Sequence, residues 1–236
     1  MKHDYLYKKI IKICLRKFAI FCKHIKNLVD HVSMPNYGNC PKNLTIQEPR
    51  QLVNPHRIFL GDNISLGANC TLKALSKYPS SWMTHPQNKH KEEIFQSKIV
   101  IGSRVTSTGG LSIYSALSVT IEDDVMFASN VLITDNSHSY QSAEIPYKYQ
   151  GLSNINPITI KRGTWIGQNV VILSGVTIGE LSIVGANSVV TKDIPDKCIA
   201  AGAPARILKK WDSSSDQWIP LPNKYEHNQL EKSQHC

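Results

Sequence analysis

The sequence predicts an all-β chain wound as a parallel β-helix, and two observations within residues 158–194 carry that prediction. Taking every sixth residue from Ile160 gives Ile160, Ile166, Ile172, Ile178, Val184 and Val190, an unbroken aliphatic row, with glycine next along at Gly167, Gly179 and Gly185. Four positions after each row member the residue is small or branched: Thr164, Val170, Val176, Ser182, Ser188 and Ile194. A helix repeats at about 3.6 residues and a strand at 2, so a strict six fits neither alone. It fits a coil in which each hexad supplies one flat side. One aliphatic side chain per hexad points inward and stacks on its counterpart in the coil above, and the small residue after it lets the chain turn.

Three segments follow from this frame: a basic amphipathic helix over 1–34, a solenoid over 35–205 and a C-terminal tail over 206–236. Ile10, Ile11, Cys14, Leu15, Phe18, Phe21, Cys22, Ile25, Leu28 and Val29 follow helical spacing, with Lys9, Lys12, Arg16, Lys23 and Lys26 largely elsewhere. Two roles suit such a helix. It attaches to an anionic inner-membrane surface, or it packs on the first coils or on a neighbouring subunit, because terminal coils of a solenoid need covering.

Pro35–Pro41 reads as a linker. Hexads then begin at Leu60-Gly61 and Leu66-Gly67, and break over 73–98, a polar stretch that reads as a loop leaving the solenoid. They resume at Ile101-Gly102, slip by about two residues around Gly109-Gly110, and run on through Ile121, Phe127 and Ile133. A second excursion spans Asp135–Asn156. Excursions of this length in a regular solenoid are where substrate contact is expected. The tail, with Trp211 and Trp218, reads as a short helix and an extension.

Composition excludes several classes. The net charge is +9. Residues 1–30 hold eight Lys/Arg against two Asp, so the excess is local and does not favour nucleic-acid binding. The longest charge-free apolar run near the start is Phe18–Cys22, too short for a secretory signal, and no run has bilayer length. The six cysteines (Cys14, Cys22, Cys40, Cys70, Cys198, Cys236) lack CxxC spacing, which predicts reduced thiols in a cytoplasmic protein with no zinc site.

The chain resembles the hexapeptide-repeat acyltransferases, and most closely their maltose/galactoside and xenobiotic acetyltransferase branch. Thr164-Trp165-Ile166-Gly167, Ser174–Gly179, Val184–Pro195 and Ala201–Arg206 carry the resemblance, which covers residues 44 to 210 and is densest in its last third. It implies a left-handed coil, whereas elementary crossover sterics would favour a right-handed one. It also implies a homotrimer with active sites between adjacent solenoids, and acetyl-CoA as co-substrate.

In that resemblance His138, in Thr134-Asp135-Asn136-Ser137-His138, matches the histidine general base. Its task would be to take the proton from an acceptor hydroxyl attacking the thioester carbonyl, with no acyl-enzyme. Asp135 is a candidate to orient the imidazole, a task a backbone carbonyl serves equally well. Relatives often carry a second histidine where this chain has Asn136. Trp165, Gln168, Ala186, Thr191 and Lys192 stand where the family contacts the pantetheine arm and nucleotide, and Arg206 and Lys209 near the adenosine phosphates, where cations pair with phosphate oxygens.

The expected acceptor is a sugar hydroxyl in surface-polysaccharide or lipopolysaccharide synthesis. Antibiotic acetylation and N-acetylation of an amino sugar are the alternatives. A γ-type carbonic anhydrase would use His85, His90 and His138 on zinc, but His85 and His90 fall in an off-register loop that fixes no geometry. A purely structural solenoid would keep its loops short.

Overall fold

Aliphatic residues 18 apart stack on one another, and that spacing sets the architecture. In the computed structural model, which describes residues 11–22, 24–25, 35–78 and 92–221, Ile160 lies in register with Ile178, Ile166 with Val184 and Ile172 with Val190. Each coil of three hexads therefore returns every strand to the position above its predecessor.

Among the described residues the strands form three walls. The first wall has nine strands, running from Thr45–Ile46 through Trp165–Ile166 to Gln217–Pro220. The second has six, from Arg50–Val53 to Val189–Val190, and the third has five, from Ile58–Leu60 to Thr177–Ile178. Wall-to-wall pairing between coils is parallel, so one residue of each hexad row enters the core at every level. The row members are all buried, as are their equivalents Leu60, Leu66, Leu72, Ile101, Ile113, Phe127 and Ile133.

The small residues four positions on are also inward, at the corners. Thr164 Oγ1 donates to the carbonyls of Lys161 and Gly179, Ser182 Oγ to that of Pro195, and Ser188 Oγ to that of Gly185. Backbone acceptors thus satisfy the buried hydroxyls, and no buried side-chain nitrogen or oxygen among the described residues lacks a partner. Ile172 is fully buried between Ile133 and Val190. Ile172→Ala is expected to cost about 2–5 kcal/mol of stability, read from the denaturant midpoint.

Between the first and second walls the corner residue is left-handed: Asn69, Asn130, Asn169 and Asn187 all have φ near +60°. Asparagine tolerates that region better than branched residues do. The side chains also form a ladder, Asn130 Nδ2 to Asn169 Oδ1 at 3.4 Å and Asn169 Nδ2 to Asn187 Oδ1 at 2.9 Å. Gly110 (φ +67°) occupies the same slot one coil before Asn130.

That placement corrects the expected register slip. Gly109-Gly110 fills an ordinary corner, and the Asn130 N–H bonds the Gly109 carbonyl of the preceding coil. The two additional residues lie instead between the second and third walls, at Tyr114–Leu117. Early coils consequently repeat at 20 residues, as Ser112 pairing with Leu132 shows, while Val171 pairs with Val189 at 18.

The solenoid also starts earlier than its visible hexads. Gly38 N–H bonds Ile58 O, Asn39 exchanges side-chain bonds with the backbone of Leu60, and Tyr37 packs on the core. Residues 37–41 of the segment read as a linker therefore belong to the first coil.

The tail differs too. Over its described part, Ala205–Asp212 and Gln217–Pro220 are strands rather than a short helix. On the first wall Ala205–Asp212 adds antiparallel to Cys198–Gly202, and Gln217–Pro220 antiparallel to Ala205–Asp212. Residues 222–236 lie outside the described residues.

The chain divides into two units, Met1–Asn36 and Tyr37–Cys236. In the first, residues 11–22 and 24–25 are helical, and Leu15, Phe18 and Phe21 are exposed by more than 60% each. Residues 1–10 and 26–34 lie outside the described residues. No described helix is long and apolar enough to cross a membrane.

Candidate active site

Both excursions leave the solenoid at the same corner, from the second wall toward the third. The first follows Cys70–Ala74 and the second follows Leu132–Thr134, with Ser112–Ser115 pairing between those two strands. Strands in adjacent coils lie about 4.8 Å apart, so the two loops emerge about 10 Å from each other along the axis. Each begins as a short antiparallel pair. Lys77–Tyr78 pairs with Glu93–Ile94, and Ser137–His138 with Leu152–Ser153.

His138 is exposed on this second pair, and its surroundings come from both loops. Its Nδ1 lies 3.2 Å from the hydroxyl of Tyr78, and the two rings are tilted at 58° with centroids 5.5 Å apart. The Tyr78 hydroxyl donates to the backbone carbonyl of Lys148, at 3.1 Å. Burial, and then the negative charge of Glu93, push the Tyr78 phenol above its ordinary range, so it stays protonated at neutral pH. Nε2 of His138 has no hydrogen-bond partner among the described residues. Gly151 (φ +81°) is where the loops touch again. A Cβ there would lie 2.7 Å from a Glu93 carboxylate oxygen.

Asp135 does not orient the imidazole. Its side chain is fully buried, and its carboxylate is committed to the widened corner. Oδ2 accepts from Ser115 Oγ (2.7 Å) and Leu117 N (2.9 Å), and Oδ1 from Ala116 N (2.7 Å) and Asn136 Nδ2 (2.9 Å). The physical reason is strand alternation: Ile133 points inward, Thr134 outward, so Asp135 points inward again. The residue that meets Nδ1 is Tyr78, 60 positions earlier, which sequence reasoning missed. Asn136 helps to hold the Asp135 carboxylate.

The candidate coenzyme contacts occupy several edges. Trp165 is 45% exposed on the first wall, between Met126 and Ile183. Gln168 and Ala186 are exposed at the corner from first to second wall, while Thr191 and Lys192 follow the second-wall strand Val189–Val190. Arg206 and Lys209 lie on the strand Ala205–Asp212. Trp165 and His138 are thus on different sides of one solenoid, and a single chain does not gather the whole set. Lys192, Arg206 and Lys209 have no acidic partner among the described residues, a donor set that suits phosphate oxygens.

His85 and His90 lie outside the described residues. Among the described residues no group of three His, Cys, Asp or Glu side chains could hold a metal.

Residues 157–192 match the family described as bacterial transferase hexapeptide (six repeats). The chain is 40% identical over 116 residues to the galactoside O-acetyltransferase of Escherichia coli K12, a match covering 49% of this chain and 56% of that protein. It is 31% identical over 189 residues to the E. coli K12 "Putative lipopolysaccharide biosynthesis O-acetyl transferase WbbJ", covering 77% of this chain and 85% of the relative. The chain thus accounts for little more than half the length of the first relative and for most of the second.

Among solved structures, the Bacillus cereus N-acyltransferase AntD, crystallised with dTDP and coenzyme A, aligns with a TM-score of 0.59. The alignment has 20% identity and covers 88% of this chain and 96% of that one. At that identity the likeness concerns the fold, the left-handed β-helix of acyltransferases.

Proposed function

Because the chain belongs to the hexapeptide-repeat acyltransferases, we propose that it transfers the acetyl group of acetyl-CoA to a sugar hydroxyl, with His138 as general base. The observation carrying this reading is the imidazole itself. It is exposed, it is held through Nδ1 on a short strand pair that leaves the second wall, and its Nε2 edge has no partner among the described residues. In the reaction Nε2 takes the acceptor O–H proton as that oxygen attacks the thioester carbonyl carbon. The C–S bond then breaks, and the proton passes to the departing thiolate of coenzyme A. An imidazole, which can both accept and return a proton through one nitrogen, suits both transfers.

The sugar acceptor is supported by the two E. coli relatives, whose names specify galactoside and lipopolysaccharide O-acetylation. A trimer is supported by the separation of Trp165 from His138, since a neighbouring solenoid would supply the missing side of the site. Contact with an anionic membrane surface at the cytoplasmic face is supported by the exposed Leu15, Phe18 and Phe21 beside basic residues. That contact would place the enzyme near a lipid-linked glycan acceptor.

The test is an acceptor screen with labelled acetyl-CoA against nucleotide sugars, oligosaccharides, amino sugars and hydroxylated antibiotics. Label on a sugar oxygen supports the reading, whereas label on nitrogen or only on an antibiotic overturns the acceptor class. Arg206→Ala and Lys209→Ala are each expected to weaken coenzyme A binding about tenfold by calorimetry, the worth of one charge-assisted contact. Binding of 3′-dephospho-CoA serves as the control for phosphate specificity.

A further inference from the structure

We propose that Tyr78 is the positioning residue of the site, fixing His138 in the tautomer that carries its proton on Nδ1 and leaves Nε2 free to act as base. This rests on the reading of His138 as the base.

The argument is one of counting hydrogens. A phenol has a single O–H, and a carbonyl can only accept. The contact of 3.1 Å between the Tyr78 hydroxyl and the Lys148 carbonyl therefore uses that hydrogen. What remains on the oxygen toward His138 is a lone pair, so the 3.2 Å contact with Nδ1 needs its hydrogen from the imidazole. The relay runs one way, from Nδ1–H to the phenol oxygen and from the phenol O–H to the carbonyl. The partner on one ring nitrogen decides which nitrogen bears the proton.

The tilted ring of Tyr78 against the imidazole restricts its rotation as well. Tyr78 belongs to the first excursion, and His138 and Lys148 to the second. The base therefore acquires its working form only when the two loops meet. The chemistry of the relay does not depend on which hydroxyl is the acceptor.

The experiment uses full-length protein labelled with ¹⁵N in histidine, with His138→Gln to assign the His138 signals. The wild-type protein is expected to show a protonated Nδ1 and a pyridine-like Nε2 shift at a pH where the ring is neutral. In Tyr78→Phe, which keeps the aromatic ring, the His138 signals should move toward the Nε2–H form that free histidine prefers. Acetyl transfer in Tyr78→Phe should lose about tenfold in kcat, the worth of one neutral hydrogen bond, with KM for acetyl-CoA unmoved.

An Nε2–H tautomer in the wild type, or His138 shifts unchanged by Tyr78→Phe, would overturn the assignment whatever the activity. The wild-type spectrum decides the point even if the variant folds poorly. Retained turnover in His138→Ala would instead remove the base reading, a separate failure.

Discussion

His138→Ala is expected to lower acetyl transfer by about 10²–10⁴-fold while leaving coenzyme A binding intact, the usual contribution of one general base. The split between the two measurements follows from the architecture. The imidazole stands on a loop pair beyond the second wall, whereas the candidate coenzyme contacts lie on the first wall, at the corners beside it, after Val189–Val190 and on the strand Ala205–Asp212. Truncating the ring removes a proton acceptor and leaves the solenoid untouched, because His138 is exposed on the short loop pair. Steady-state rates and isothermal titration with coenzyme A check the two halves. Unchanged kcat in the variant would remove His138 from the chemistry.

Asp135→Asn is expected to destabilise the protein by about 3 kcal/mol or more, read from denaturant unfolding, although the side chain keeps its shape. The carboxylate accepts from four donors, two of them the backbone N–H groups of Ala116 and Leu117. A carboxamide has one acceptor oxygen, and its NH₂ would face donors whichever way it is turned. The cost arises because Asp135 and the groups around Ala116 are buried, so water cannot take over. Activity should fall only as far as the folded fraction falls. A specific loss of kcat in fully folded protein would mean that Asp135 acts on the chemistry after all.

The hexads of 158–194 were legible because that region has coils of 18 residues with nothing inserted, so six remains an undisturbed period. Earlier coils carry two additional residues at Tyr114–Leu117 and its equivalents, and a strict six loses phase there. The misplaced slip at Gly109-Gly110 follows from that: paired glycines suggest an irregularity, but here they stand in the slot that Ser129-Asn130 fills one coil later. The first coil was hidden for a different reason. Residues 37–46 join the wall largely through backbone and asparagine bonds, which leave little aliphatic row.

His138 stood out as a candidate because it opens an excursion and fits a family pattern, whereas the Asp135 carboxylate is committed to the corner at Ala116 and Leu117. Alternation from Ile133 already placed its side chain on the inner side. Tyr78 carried no local signal at all. It is a tyrosine in a polar loop, and only the stacking of intervening coils brings it to the imidazole.

The antiparallel hairpin at the end of the first wall has a consequence for self-association. A stack of parallel rungs ends in an edge shaped to receive another identical rung, so such molecules could in principle concatenate into fibres. Here the outermost strand, Gln217–Pro220, has turned twice and again runs with the wall, but its Pro220 has no N–H to offer. A second molecule arriving in the orientation of the next rung meets a missing donor at Pro220, which weakens pairing at that end of the first wall.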